Sequence, residues 1–315
     1  MRVQFDNCDL GASTGPNTFA RRLATQLFNM GHEVVLDDSA DVSLVFIEPS
    51  GRSLAKKVVQ RLDGIWFKPH EFETKNAGIK ALYDRAAAVV FQSQFDQQMV
   101  SKHWGAPGLW NQPGRGVVIR NGIELDPIKQ LTIPKLAEMR QAYERIYVCS
   151  SNWHAQKRLE ANVRLFEHLR LKRPSSCLII MGGHPDYRAT GSNVFYTGSM
   201  DHETCSQIYS AADWMLHLAW ADHCPNVIVE ALAQGTPVAC AEVGGTKELI
   251  GSYGVVLKEA PYGYELADYD NPPAIDVTQV DDLPTRQELN YSTIADIDIR
   301  NVAQRYVDLF QKVIG

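Results

Sequence analysis

The chain has 315 residues, of which 45% are hydrophobic, and its 31 basic and 37 acidic residues give a formal net charge of −6. A chain of this length usually divides into two domains, because a single hydrophobic core stops growing at about 250–300 residues. The basic residues form no run that could follow a phosphate backbone, so we expect no nucleic-acid partner.

The cysteines and the N-terminal segment are typical of a cytoplasmic protein. The six cysteines are far apart, and none stands in a CxxC or zinc-site spacing, which favours reduced thiols. The segment MRVQFDNCDLGAS lacks the apolar core of a signal peptide, and no apolar run is long enough to span a membrane. We therefore expect a cytoplasmic chain without a transmembrane segment, which leaves peripheral membrane contact open.

In the first half, short apolar runs alternate with helical patterns, which predicts a parallel sheet flanked by helices. A strand at residues 2–5 is followed by a turn-rich loop and a helix that ends at a glycine. Further strands are predicted at 42–47, 64–67, 87–93 and 116–124. We assign residues 1–125 to a first domain, and residues 126–145, which carry no strand pattern, to a linker region.

The second half repeats this alternation of strands and helices. Strands are predicted at 146–151, 177–183, 193–198, 214–220 and 237–241, with a helix at 158–172. We assign residues 146–296 to a second domain. An apolar stripe at helical spacing over residues 297–315 predicts a C-terminal helix that returns to the first domain.

The stretch DHCPNVIVEALAQGTPVACAEVGGTKELI, at residues 222–250, places the carboxylates of Asp222 and Glu230 eight positions apart. Pro225 favours a helix start, and a glycine followed by a proline favours its end, which predicts a helix at about 225–234. Asp222 then lies before this helix, at the carboxyl end of a strand, and Glu230 lies in its second turn.

Helix N-termini at the carboxyl ends of parallel strands bind anions, because they present N–H groups and a positive dipole. The N–H groups of Asn226 and Val227 are suitably placed for a phosphate. Asp222 could accept a hydrogen bond from a sugar hydroxyl, and Glu230 from a ribose diol. The same residues also fit a simpler interpretation, in which one is a loop acid and the other a surface helix acid.

The stretch resembles the donor-binding signature of the retaining family-4 glycosyltransferases of the GT-B fold. That signature has an acid, seven residues and a Glu, and here it continues with EALAQGTPVACA and VGGTKEL. Other segments resemble the family in the expected order: TGPNTFARRLATQLFNMGHEV, AAAVVFQSQFDQQMV, GVVIRNGIE, CLIIMGGHPDY and NVFYTGSMDHETC. The resemblance implies an α/β chain with two Rossmann-like domains facing across a cleft and a C-terminal helix returning to the first.

The resemblance also implies roles for single residues in binding a nucleoside-diphosphate sugar. Glu230 would bind the ribose hydroxyls, and Asp222, where the family usually has Glu, would contact the transferred sugar. The N–H groups of Asn226 and Val227 would bind the distal phosphate. The further donor-binding positions that it implies are His223, Cys224, Pro225, Gly198 and Met200.

Two basic residues usually meet the diphosphate in this family, and the second domain matches one of them. Lys157 matches the lysine, whereas Asn152 occupies the arginine position. His154 or Arg158 could supply the second charge, or Lys157 and the helix N-terminus could suffice.

The first domain carries two further positions that the resemblance implies. Gly15 matches the second glycine of the family's glycine loop, and Thr14 replaces the first. His70 matches the histidine near the anomeric centre of the sugar, although Asp63 or Lys68 could serve the acceptor side instead.

The implied function is transfer of a hexose, with retention, from a UDP- or GDP-sugar to a hydroxyl of a glycan or small-molecule acceptor, with Asp222, His70 and Lys157 as catalytic residues. No cofactor and no metal are implied, since DYD at 268–270 and DID at 296–298 do not follow strands as a metal-binding DxD would. Two alternatives stay open: a nucleotide-sugar epimerase or hydrolase of the same architecture, and a non-catalytic protein that binds nucleotide sugars.

Overall fold

The computed structural model describes residues 1–12, 15–106, 115–128, 130–183, 185, 187–189, 191 and 193–315. In chain order the strands are β1 Arg2–Asp6, β2 Glu33–Val35, β3 Val42–Phe46, β4 Val58–Leu62, β5 Ala88–Phe91, β6 Gly116–Val118, β7 Arg145–Ser150, β8 Ser176–Met181, β9 Val194–Gly198, β10 Trp214–His217, β11 Val238–Ala241 and β12 Gly254–Leu257. The α-helices are α1 Gly15–Asn29, α2 Phe72–Tyr83, α3 Gln94–Trp104, α4 Pro134–Ala142, α5 Leu159–Arg170, α6 His202–Ala211, α7 Asn226–Ala233, α8 Thr246–Ile250 and α9 Ile299–Ile314.

The chain forms two compact units, each built on a parallel sheet. The first unit contains Met1–Glu124, Gly263–Asp268 and Ala295–Gly315, and the second contains Leu125–Tyr262 and Tyr269–Ile294. Among the described residues, the strand order is β2-β1-β3-β4-β5-β6 in the first sheet and β12-β11-β10-β7-β8-β9 in the second. The expected α/β class is confirmed.

The core of the first unit joins the N-terminal helix to the C-terminal one. Phe19 and Leu23 of α1 are completely buried, and they belong to the same apolar cluster as Val302, Tyr306 and Phe310 of α9. Removing such a side chain from water stabilises the fold by about 1.5–3 kcal/mol. The C-terminal helix therefore packs on the first unit, as its apolar stripe predicts.

The prediction of a strand at residues 64–67 is wrong. The strand in this part of the chain is β4, Val58–Leu62. The sequence pattern misses β4 because its middle residues, Gln60 and Arg61, are polar and do not look like part of a buried strand. In the structure both are buried. Gln60 Nε2 donates to the carbonyl oxygens of Ile47 and Ile79. The Arg61 guanidinium lies 4.3 Å from the centre of the Phe19 ring and donates to Asn121 Oδ1 at 2.6 Å.

In the second unit, the strand order changes direction between β7 and β10. The strands β7, β8 and β9 follow one another towards one edge, and β10, β11 and β12 follow towards the other. Because the sheet is parallel, the carboxyl ends of β7 and β10 lie side by side. Ligands of open α/β sheets bind outside the carboxyl ends of the strands at such a reversal point.

Residues 126–145, expected as a linker region, contain α4 and lie in the second unit. Leu136 and Met139 of this helix are buried. The backbone N–H of Thr132 also donates to Gln207 Oε1 of α6 at 2.8 Å. The segment is therefore packed within the second unit. Of the described helices, none has the length and apolarity needed to cross a membrane.

Candidate functional site

The segments that follow β7 and β10 are hydrogen-bonded to each other at the reversal point of the second sheet. A 3-10 turn at Ala155–Lys157 follows β7. The Gln156 side chain donates to the Trp220 carbonyl at 3.0 Å, and the Trp220 N–H donates back to the Gln156 carbonyl at 2.9 Å. Ala221 has a φ of 53°, a conformation that costs energy for a residue with a Cβ. This sharp turn brings Asp222 over the end of the sheet.

Lys157 and Asp222 form an ion pair that is largely shielded from solvent. Lys157 Nζ lies 2.5 Å from Asp222 Oδ2, with 17% and 12% of the two side chains exposed. His217, the last residue of β10, places Nε2 at 3.4 Å from the same oxygen and is 4% exposed. Burial alone would raise the pKa of the Asp222 carboxyl, but the charge of Lys157 and the neighbouring His217 hold that pKa well below its usual range. The carboxylate is therefore ionised at neutral pH.

The two oxygens of the Asp222 carboxylate have different surroundings. Within the described part of the chain, the ion-pair contacts of this side chain are to Oδ2. Oδ1 makes neither of these contacts, so it can accept a hydrogen bond from a ligand without displacing Lys157. The amine of Lys157 has three N–H donors, so it can serve an anion and Asp222 together.

The backbone of Asp222 is held by the glycine pair of the VGG segment. The Gly245 N–H donates to the Asp222 carbonyl at 2.7 Å, and Asp222 forms an isolated parallel bridge with Gly244. Gly244 has a φ of 140°, and a Cβ at this position would lie 2.9 Å from the Asp222 carbonyl oxygen. A glycine is therefore required here for both its conformation and its lack of a side chain.

Helix α7 begins directly after this loop, close to the limits that the sequence predicts. Pro225 is its N-cap residue, and the helix covers Asn226–Ala233. The first N–H groups of an α-helix are not used by its own ladder, and they carry the positive end of the helix dipole. The start of α7, including Val227, therefore offers an anion-binding edge just past Asp222. Cys224 is buried beside it, and His223 is half-buried.

Glu230 lies on the side of α7 that faces the start of α6. Its Oε1 is 3.9 Å from Nδ1 of His202, and 14% of its side chain is exposed. Burial, followed by the charge of Glu230, raises the pKa of the Cys205 thiol to about 11, and the Cys205 thiol lies 3.9 Å from the Met200 carbonyl. The structure thus brings Glu230 together with the segment that carries Gly198 and Met200, and Met200 is an exposed residue.

Arg158 has a different environment from Lys157, its neighbour in sequence. It is in the left-handed conformation, with a φ of 50°, and its guanidinium is buried. Nη1 donates to Glu259 Oε1 at 2.7 Å, and Nη2 donates to the Pro273 carbonyl at 2.5 Å. Burial lowers the pKa of Arg158, while Glu259 neutralises its charge. This arginine is therefore committed to an internal ion pair.

His154 and Arg158 line a cavity of about 360 Å³ whose walls also include Trp153 and Tyr187. Lys157 and Asp222 are not among its lining residues. The side chain of Asn152 is exposed. His154 and Arg158, the suggested replacements for the second cation, therefore share a cavity that the Lys157 and Asp222 side chains do not line.

The part of the chain that carries this site matches a protein family by its sequence. Residues 144–268 match the family model described as glycosyl transferases group 1. The matched residues include Lys157, His217, Asp222 and Glu230. Residues 144–268 form a group 1 glycosyltransferase domain. No curated protein sequence matches the chain.

Several solved structures share the fold of this chain over nearly its whole length. HepE from Anabaena, solved in complex with UDP-glucose, is 17% identical, with a TM-score of 0.61 and coverage of 99% of this chain and 98% of that one. A glycosyltransferase from Rickettsia africae is 13% identical, with a TM-score of 0.67 and coverage of 99% and 98%. AviGT4, involved in avilamycin A biosynthesis, is 17% identical, with a TM-score of 0.62 and the same coverage. The chain has the GT-B fold of these proteins.

The first unit of the glycosyltransferase carries the remaining residues to which the sequence assigns a role. His70 precedes α2, with 75% of its side chain exposed and Nε2 at 3.9 Å from Glu71 Oε1. Gly15 is the first residue of α1, and Thr14 lies outside the described residues. Asp63 is paired with Arg61, and Lys68 Nζ lies 3.9 Å from Asp268.

Sequence reasoning missed His217 as a residue of this site. It ends a strand that reads as an apolar run, so its imidazole is easily taken for a core residue. A useful signal would have been its position at the carboxyl end of the strand, immediately before the loop that carries Asp222. In the described part of the glycosyltransferase, no group of three His, Cys, Asp or Glu side chains could hold a metal ion.

Proposed function

We propose that this glycosyltransferase transfers a hexose from a nucleoside-diphosphate sugar to a hydroxyl group of a glycan or small-molecule acceptor, with retention at the anomeric carbon. The observation that carries the proposal is the Lys157–Asp222 pair, with Nζ and Oδ2 2.5 Å apart, next to the N-terminus of α7. This arrangement offers a cation and a helix start for a diphosphate, and a carboxylate oxygen for a sugar hydroxyl.

The donor we propose is a UDP- or GDP-sugar that lies along α7. Its ribose binds Glu230, its base lies near Gly198 and Met200, and its distal phosphate meets the start of α7 and Lys157. The complex of HepE with UDP-glucose supports a donor of this class, since HepE shares the fold at 17% identity. The transferred sugar then meets Asp222 Oδ1.

Departure of the diphosphate places negative charge on its leaving oxygen, and stabilising that charge is the principal task of the site. Lys157 is 17% exposed, so its charge acts on the leaving group with limited screening by water. Because Arg158 is paired with Glu259, Lys157 and the dipole of α7 carry this task. The acceptor hydroxyl attacks the face that the leaving group vacates, and a phosphate oxygen takes its proton.

We propose that the acceptor side belongs to the first unit, where His70 acts in catalysis, and that Gly15, the first residue of α1, lets the backbone approach a donor phosphate. The reaction needs no metal ion in this proposal, because Lys157 and the helix dipole neutralise the diphosphate. Activity that persists after treatment with a chelator and dialysis supports this point. Loss of activity on chelation, with recovery on adding Mg²⁺ or Mn²⁺, would contradict it.

The experiment that tests the function compares each nucleotide sugar alone with the same nucleotide sugar plus a panel of glycan and small-molecule hydroxyl acceptors. We expect release of nucleoside diphosphate that depends on the acceptor, and a product whose anomeric configuration matches that of the donor. Conversion of the donor without acceptor would instead indicate the epimerase or hydrolase. Binding without turnover on any acceptor would indicate the non-catalytic binding protein.

A further inference from the structure

His217 is a buried histidine whose ring nitrogen meets a carboxylate of the candidate site. We infer that His217 is a positioning residue, which holds Oδ2 of Asp222 together with Lys157 so that Oδ1 is presented to the transferred sugar. The inference rests on the proposed function, because it concerns how the donor sugar is held. It adds a residue to the site that the signature from Asp222 to Glu230 does not contain.

The buried position of this imidazole has an energetic cost. His217 is 4% exposed, and its Nε2 is fully buried without a well-aligned hydrogen bond to any described residue. An imidazole nitrogen in such a place is unfavourable unless a charge nearby compensates for the lost water. The compensating charge is Asp222 Oδ2, 3.4 Å away. An apolar side chain would fill the same space without this cost, so what the histidine adds at this position is its contact with Asp222.

The two groups that hold Asp222 Oδ2 differ in rigidity. Lys157 reaches it through four methylene groups, and such a side chain has many rotamers. His217 belongs to β10, which is paired with β7 on one side and with β11 on the other. The strand therefore fixes the imidazole, and the imidazole fixes which oxygen of Asp222 points towards the sheet.

Lys157 and His217 both contact the same oxygen of Asp222. Contacts of 2.5 Å from Lys157 and 3.4 Å from His217 to Oδ2 oppose rotation of the carboxylate out of its present plane. An imidazole with a proton on Nε2 is a donor in either its neutral or its charged form. Oδ1 is thereby kept as the oxygen that accepts from a sugar hydroxyl. A short acid such as aspartate depends on this support, since its oxygens lie close to the backbone.

The test measures two dissociation constants by calorimetry for each variant: one for a nucleoside-diphosphate sugar and one for the same nucleoside diphosphate without the sugar. UDP-glucose with UDP and GDP-mannose with GDP are the probe pairs. We expect His217→Leu to weaken binding of the nucleotide sugar about tenfold, because Asp222 Oδ2 loses one of the two polar contacts that it has within the described residues. Binding of the nucleoside diphosphate should change by less than about twofold. His217→Gln, which keeps an N–H donor, should restore most of the loss.

Two further variants separate positioning from packing. Cys240→Ala is the matched control, because Cys240 is the register partner of His217 on β11 and is completely buried. It should leave the ratio of the two constants unchanged. In an Asp222→Asn background, His217→Leu should change the binding of the nucleotide sugar by less than about twofold, because the carboxylate is gone. If His217→Leu does not fold, His217→Asn, whose amide is too short to reach Oδ2, should give the same selective loss.

An equal loss for both ligands, a loss matched by Cys240→Ala, or a full tenfold effect in the Asp222→Asn background would overturn the role of His217. Those outcomes leave the proposed function intact, since the wild-type protein still binds the donor. If the wild-type protein binds neither member of either pair, the proposed function fails, and this inference fails with it.

Discussion

Lys157 Nζ lies 2.5 Å from Asp222 Oδ2, although the two residues stand 65 positions apart in the chain. Their segments follow β7 and β10, which are neighbours at the reversal point of the second sheet. The sheet topology therefore brings the two residues together, and the hydrogen bonds between the Gln156 side chain and backbone and the Trp220 backbone hold their segments in place. Both residues have separate tasks in the proposed reaction, one at the diphosphate and one at the sugar.

Replacing Lys157 by alanine should lower turnover by about tenfold or more, because the leaving diphosphate loses its nearest cation. Steady-state release of nucleoside diphosphate measures the effect, with the folded state checked by circular dichroism. Lys135→Ala is the control, since Lys135 lies on α4 with 74% of its side chain exposed. Wild-type turnover in Lys157→Ala would exclude this lysine from the reaction.

The depressed pKa of Asp222 predicts a defined pH dependence of stability. Since the folded-state pKa lies below the unfolded one, the ionised carboxylate stabilises the fold above the unfolded pKa of about 3.9. That contribution is lost as the pH falls from the unfolded value towards the folded value. The difference in unfolding free energy between wild type and Asp222→Asn should therefore be constant from about pH 7 to pH 5 and shrink below about pH 4. Urea titrations at several pH values measure it. A difference that is unchanged down to about pH 3 would show that the ion pair does not stabilise the carboxylate.

Gly244 should be intolerant of a side chain, because a Cβ there would lie 2.9 Å from the Asp222 carbonyl oxygen at a φ of 140°. Gly251→Ala is the matched control, since Gly251 also has a positive φ, of 50°, but nothing lies within 4 Å of an added Cβ. Both variants carry backbone strain, and Gly244→Ala should be the less stable by about 1–3 kcal/mol in denaturant unfolding. It should also weaken binding of the nucleotide sugar. Equal stability of Gly244→Ala and Gly251→Ala would contradict this prediction, because it would show that the Asp222 loop can shift to make room for the added Cβ.

Arg158 should matter for stability and not for the phosphate. Its partner Glu259 is as buried as Arg158 itself, with 4% of each side chain exposed, and removing one member of a buried pair costs about 3–5 kcal/mol. Arg158→Met is therefore expected to lower the unfolding free energy by that amount, while a folded sample binds nucleoside diphosphate as wild type does. A large loss of affinity in a variant of wild-type stability would instead make Arg158 the missing second cation.

Patterns of neighbouring residues predict much of this fold, and contacts between distant residues explain what they miss. The apolar strands β7, β8 and β10 and the helix after Pro225 are visible in the sequence, because local periodicity and turn residues determine them. β4 escapes this reasoning, since Gln60 and Arg61 are buried by partners on other elements. The same holds for the site. The spacing of Asp222 and Glu230 can be recognised in the sequence. The pairing of Arg158 with Glu259, 101 positions away, cannot, because tertiary packing alone determines it.

The central claim is that a nucleoside-diphosphate sugar binds along α7 with its ribose on Glu230. Thermal unfolding of wild type, Glu230→Ala and the exposed-site control Glu138→Ala with UDP-, GDP- and ADP-sugars tests it most directly, because a ligand at 100 times its dissociation constant adds about 2.7 kcal/mol to stability. We expect one nucleotide class to raise the melting temperature of wild type and Glu138→Ala, and to raise that of Glu230→Ala much less. An equal rise in all three proteins, or no rise with any nucleotide sugar, would contradict the claim.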